Sequence, residues 1–179
     1  MRNAYRFAIA LTVILCVLGL AGAQVPEGPP KPGPEHKALE QSLGTWTGKA
    51  EMKPGPFGPG GSSTWTETCE WFEGGFHVVC RSEGKGPMGP MKGIGIIGYD
   101  ATKKVYTYYG VDNTGWADLA TGRVSGKTWT FSSETILEGK PIRSRFVIEY
   151  VSATQQKFRW ETSEDGKTWA LAMDGQSTK

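Results

Sequence analysis

The chain has 179 residues, 38% of them hydrophobic, which is enough for one domain with a sizeable core. Lys+Arg number 20 and Asp+Glu 18, and Arg2 and Arg6 fall in an acid-free leader over residues 1–23. The remainder is therefore neutral, and its charge makes no case for nucleic acid or an anionic membrane surface as partner.

The leader reads as an export signal. After Arg2 and Arg6 comes an uncharged apolar run over residues 7–20, then Ala21-Gly22-Ala23, the small-x-small pattern of a signal peptidase site. A signal peptide over residues 1–23, cleaved after Ala23, is expected. The run falls short of the ~20 residues that span a bilayer comfortably, so no stable membrane anchor is expected after cleavage. Cys16 does not read as a lipidation site, because Leu15 is bulky for the position before a lipidated cysteine and the apolar run continues past it. Residues 24–33 (QVPEGPPKPG) form a Pro-rich tether without an apolar period. Residues 34–179 form the folded domain.

That domain opens with a short helix over residues 35–43. Pro34 suits a first helical turn, Leu39 and Leu43 are spaced i,i+4, and Gly44 ends it. It runs into Gly44-Thr45-Trp46, and from there the pattern is strand after strand at about ten-residue spacing, as in an all-β barrel or sandwich. The expected strands are 44–53, 62–72, 76–84, 92–99, 104–111, 115–123, 127–133, 142–151, 156–163 and 167–173. Turns at Gly74-Gly75, at residues 100–103 and at Ser125-Gly126 are tight. The connections 54–61, 84–91 and 134–141 read as long, and 111–114 is intermediate. In an up-and-down meander, alternate connections share an end. The tight turns then close a floor, with the helix as plug, and the longer ones surround a mouth.

Cys69 and Cys80 are the two cysteines left after processing, and an even count in an exported chain favours a disulfide. Pairing centred on Gly74-Gly75 sets Trp71 opposite Val78 and Cys69 opposite Cys80. A redox pair would instead be expected as Cys-x-x-Cys near a helix N-terminus. The period of two gives the interior faces. Trp46, Ala50 and Met52 share one; Trp65, Glu67, Cys69 and Trp71 another. Trp129 and Phe131, then Ser144, Phe146 and Tyr150, then Phe158 and Trp160, then Trp169, Leu171 and Met173 continue it. Arg143, Arg145, Glu149, Lys157, Arg159 and Glu161 take the outer wall.

Gly93-Ile94-Gly95-Ile96-Ile97-Gly98 spells a dinucleotide fingerprint, which works only where a strand turns into a helix. Here no helical pattern follows, so these glycines are expected to bend a strand or admit a neighbour. His36 and His77 are isolated and expected at the surface. With both thiols oxidised they cannot assemble a usual zinc site. No hydrolase elbow, zinc-protease motif or Walker loop is present, and no catalytic residue, metal or cofactor is assigned. Glu67 and Asp118 can face inward, and an inward Glu67 needs a partner to offset its desolvation. Phe57, Met88 and Met91 sit in the mouth loops, either as an adaptable entrance or as caps folded over the core.

The plug sequence Pro34-Glu35-His36-Lys37-x-Leu39 with Gly44-Thr45-Trp46-x-Gly48, then Gly74-Gly75-Phe76 and Gly98-Tyr99-Asp100, resembles a bacterial lipocalin-like (calycin-type) family, domain of unknown function 1579. The resemblance covers about residues 34–175. It implies an antiparallel up-and-down barrel of roughly ten strands, with a cavity for a small apolar molecule. It also implies that Trp46 packs across the floor, often under a late arginine, for which Arg159 is the candidate although its alternation points outward. Related haem-holding barrels use a histidine near the C-terminal end, and this chain has none after His77. The expected function is non-covalent binding of a small, largely apolar ligand, lined by Trp65, Trp129, Phe146 and Trp160 and oriented by Glu67 and Ser144. A filled structural or partner-binding barrel, and an enzyme using an inward carboxylate, stay open beside it, as does the oligomeric state.

Overall fold

A computed structural model describes residues 28–179. The leader, its cleavage site, Cys16 and residues 24–27 of the tether lie outside the described residues. Residues Lys31–Lys179 form one compact unit. It begins with one α-helical turn, α1 (Pro34–Lys37), continued by a 3-10 stretch (Ala38–Ser42) where a single short helix was expected. Ten strands follow: β1 (Gly44–Met52), β2 (Gly61–Trp71), β3 (His77–Gly86), β4 (Gly89–Asp100), β5 (Val105–Asp112), β6 (Ala117–Ser125), β7 (Thr128–Leu137), β8 (Lys140–Ser152), β9 (Gln155–Ser163) and β10 (Ala170–Thr178). Each pairs antiparallel with its neighbour in sequence, and β1 pairs with β10, so the sheet closes without a free edge. No helix among the described residues is long and apolar enough to cross a membrane.

The β2–β3 hairpin has the expected register. Trp71 faces Val78 and Cys69 faces Cys80, and the two sulfurs are bonded. The mouth is less loose than the Gly/Pro content implied. Strands β3 and β4 run on to a two-residue turn at Pro87 and Met88, and β7 and β8 to one at Glu138 and Gly139. The expected long loops 84–91 and 134–141 are therefore strand with tight turns. Both residues of the second turn, Glu138 and Gly139, have left-handed backbone, and Gly89 takes up a positive φ directly after the first. Longer connections remain at 53–60, 113–116 and 164–169.

The last strand starts later than its β-rich residues suggest. Asp165 accepts hydrogen bonds from the Lys167 and Thr168 amides, both at 2.7 Å, and from Ser163 Oγ at 3.0 Å, holding this stretch as a turn. β10 then carries a bulge between Leu171 and Met173. A bulge reverses the alternation behind it. Met173 faces inward opposite Trp160, as expected, but Leu171 is exposed on the outer wall. Trp169 is also outside, with the Arg145 guanidinium 4.2 Å above its ring. Arg145 and Arg159 both pair with Glu161, at 2.6 and 3.4 Å.

The plug closes the floor. Leu39 and Trp46 are almost wholly buried, and the Trp46 indole donates to the Ser42 carbonyl at 2.8 Å. Tyr106 reaches from β5 to donate to the Glu35 carbonyl at 3.0 Å. His36, expected at the surface, is buried, with its ring edge-on to Phe76 and Tyr99 and its Nδ1 accepting the Gly33 amide at 3.0 Å. The cation over Trp46 is not Arg159 but Lys179, whose Nζ lies 4.4 Å from the ring centroid. Above the plug, Val78, the disulfide, Ala120, Trp129, Phe131 and Tyr150 fill the lower lumen.

Candidate functional site

Burial varies along the inner wall. Val78 is 0%, Trp129 3% and Phe131 6% exposed in the lower lumen, and Ile142 and Ser63 are buried nearer the mouth. Between them, around an upper cup, the side chains at lumen-facing positions Trp65, Ser144, Phe146 and Trp160 are half-buried.

Close backbone approach builds that upper cup. Gly48 on β1 is paired with Trp65, and a methyl group at Gly48 would collide with the Trp65 indole, so the ring lies flat against β1. Gly95 does the same for Tyr108, whose ring covers it from β5. Of the fingerprint-like glycines of β4, Gly95 and Gly98 thus admit neighbouring rings, Tyr108 and His77, while Gly93 lies against Ser82 and the Val111 carbonyl. Trp65 meets Phe158 at 5.6 Å between ring centroids, and Phe158 stacks on Phe146 at 5.6 Å and 20°. Ser144 stands in register between Ser133 and Thr162, a row of three hydroxyls across β7, β8 and β9.

Phe57, from the 53–60 connection, folds over this cup. Its ring sits 4.7 Å from Trp160 and 5.8 Å from Trp116 on the opposite rim. Asp112 fixes that rim by accepting from the Thr114 amide at 2.8 Å and the Trp116 amide at 3.2 Å. Phe57 is a cap, whereas Met88 on its tight turn is exposed.

At the bottom of the cup lies Glu67, in register with Trp46 and Ser82. It is deep among protein atoms while keeping part of its surface accessible. Its nearest polar neighbour is Cys69 Sγ, 3.7 Å from Oε1, and a disulfide sulfur carries no hydrogen to donate. Glu67, Cys69 and Cys80 are close enough to suggest a metal cluster, but bonded sulfurs supply no thiolate ligands. Burial pushes the Glu67 carboxyl above its ordinary range. Burial, then the charges of Glu67, Asp118 and Asp112, push the Tyr108 hydroxyl up to about 12. Tyr150 is raised for the same first reason, with Glu67 adding to it.

Of the residues singled out in the sequence, Trp65, Glu67, Ser144, Phe146 and Trp160 all stand at lumen-facing positions of their strands. Trp129 belongs to the packed lower lumen, between Tyr106 at 4.7 Å and Phe131 at 5.9 Å. Sequence reasoning missed Tyr108 and Trp116. The spacing of Tyr106 and Tyr108 at i,i+2 on a strand was the available signal for the first. Trp116 follows a turn and carried none. A shallow groove of about 580 Å3 also crosses the outer wall of β2 to β5, but it is open to solvent and bordered by Arg81, Glu83 and Lys92.

Residues 31–179 match the family described as "Protein of unknown function (DUF1579)". The chain belongs to that family. No curated protein matches its sequence. Among solved structures, Rv2717c from M. tuberculosis is similar over 82% of this chain and 98% of its own, at 12% identity and a TM-score of 0.56. That likeness shows the shared barrel fold. Two looser likenesses are to EF1p2_mFAP2b, solved bound to DFHBI (13% identity, 80% of this chain and 98% of that one, TM-score 0.45), and to a redesigned β-barrel, b11L5F_LGL (14%, 79% and 94%, TM-score 0.43).

Proposed function

We propose that this DUF1579 member is an exported barrel that holds a small, largely apolar molecule in its upper lumen, without covalent attachment. The observation that carries this reading is the set of lumen-facing rings Trp65, Phe146 and Trp160, which stay half-buried above a floor packed around Trp46, Trp129 and Phe131. Aromatic walls with a few polar points, here Ser144 and Glu67, are the usual composition of a small-molecule site. Burial of the ligand supplies roughly 25 cal/mol per Å2 of apolar surface before the costs of ordering. Phe57 swings aside on its Pro- and Gly-rich connection to let the ligand in, then closes over it. The Cys69–Cys80 bond is consistent with an oxidising compartment, and removal of residues 1–23 after Ala23 completes export.

Native mass spectrometry on protein exported by its own leader and purified without detergent tests this. An extra mass that leaves on denaturation, and that is lost from a Trp160→Ala variant, supports it. A bare mass after soaking with a lipid extract, together with no change in tryptophan emission on adding apolar dyes, overturns it in favour of a filled barrel.

A further inference from the structure

Charge is distributed unequally between the two faces of the wall. Lys49, Arg81, Arg123, Arg143, Arg145 and Arg159 all project outward by register, and below the rim no lysine or arginine stands at a lumen-facing strand position. Lys179 lies beneath the floor against Trp46 and does not enter the lumen. Acids do face inward. Glu67 is at the base of the cup, Asp118 stands higher on β6 opposite Gly110, and Asp112 is at the rim opposite Gly93. Their charge is felt at the Tyr108 hydroxyl. Above Glu67 the remaining wall is π-surface, with Trp65 and Trp160 at its centre and Phe57 as the cap.

Aromatic faces carry negative potential, and an ammonium over them is attracted more strongly the less water is present. A buried carboxylate with no donor is an unsatisfied group whose desolvation cost an incoming cation offsets. Among the described residues no cation pairs with Glu67.

We infer that the ligand of this lumen is an organic cation, an apolar and preferably aromatic body whose protonated or quaternary nitrogen is seated at Glu67 beneath the Trp65 and Trp160 rings. The inference rests on the upper lumen being a ligand site and adds the charge of what enters it. Anionic amphiphiles, fatty acids among them, are excluded by the same field. Around Glu67 stand the disulfide on β2 and β3, Tyr108 on β5 and Tyr150 on β8, and none of these carries a positive charge.

Three probes with one apolar body separate the possibilities: 1-naphthylmethylammonium, 1-naphthalenemethanol and 1-naphthoate, titrated calorimetrically into the full exported protein. The ammonium is expected to bind at least about tenfold tighter than the alcohol, with the naphthoate weakest. In Glu67→Gln, the ratio of the ammonium and alcohol dissociation constants should collapse towards one. Asp118→Asn, remote from the packed floor, should narrow the ratio partially and guards against a folding failure in the first variant. If the alcohol binds as well as the ammonium, the charge inference falls while the lumen site stands. If a folded Glu67→Gln keeps the full preference, the seat is not at Glu67. If no probe binds, the lumen reading itself falls.

Discussion

Glu67 sits where its charged form is least comfortable, without a donor and beside two buried phenols. Its carboxyl is held above the ordinary range by desolvation, so the folded state binds this proton more tightly than the unfolded chain does. The sign follows by linkage. Near pH 4 and below, both states carry the proton and Glu67 costs nothing. As pH rises through the unfolded value, about 4.3 for a glutamate, only the unfolded chain ionises freely and stability declines until the folded group ionises too. Glu67→Gln is therefore expected to raise Tm at pH 8 and to leave it unchanged at about pH 4, checked by thermal melts across that range. At the other end of the barrel, Lys179 lies over Trp46. Lys179→Ala should cost about 0.5–1 kcal/mol, the worth of a cation over an aromatic face near water, and Lys179→Arg should retain it. Urea denaturation of the three proteins settles the comparison. The inward position of Glu67 was legible from the period of two. The identity of the cation over Trp46 was not, because it depends on where the end of β10 passes relative to the floor, which no local pattern encodes.

At the scale of elements, the β2–β3 hairpin was the most readable, since Gly74-Gly75 fixes the centre of the turn and every cross-strand pair follows from it. The Cys69–Cys80 bond closes a separation of 11 residues and stabilises by roughly 3 kcal/mol in the chain-entropy account. Protein comprising residues 24–179 should show no free thiol when alkylated under denaturing, non-reducing conditions. The Cys69→Ser, Cys80→Ser double variant should lose about that much stability in urea. β10 was the least readable. Trp169 and Leu171 alternate with Met173 in the sequence, but the Asp165 turn delays the strand and the bulge moves both to the outer wall. Alternation describes a face only while the pairing is unbroken, and a single extra residue is invisible to it. The tight turns at Pro87-Met88 and Glu138-Gly139 were misread for a related reason. Glycine and proline mark a turn without saying how much of the flanking sequence the neighbouring strand will recruit.

Residues 31–179 form one closed ring of ten strands, so every strand lends hydrogen bonds to two neighbours and none can leave alone. Unfolding of residues 31–179 should then be a single cooperative step. Far-ultraviolet circular dichroism and tryptophan emission in urea should give superimposable transitions, since tryptophans lie both in the floor (Trp46, Trp129) and in the cup (Trp65, Trp160). Two separated transitions would show that floor and cup are independent units. The sequence alone determined the all-β class, the plug, the succession of strands and the disulfide partners, because these follow from short-range periodicity and turn chemistry, while the closed barrel was implied by the family resemblance. Tertiary structure decided how deep the packed floor reaches, that Trp129 belongs to it, that Phe57 closes the mouth and that Lys179 covers Trp46. These depend on how ten tapered inner faces share one volume, and that volume exists only once β1 has met β10.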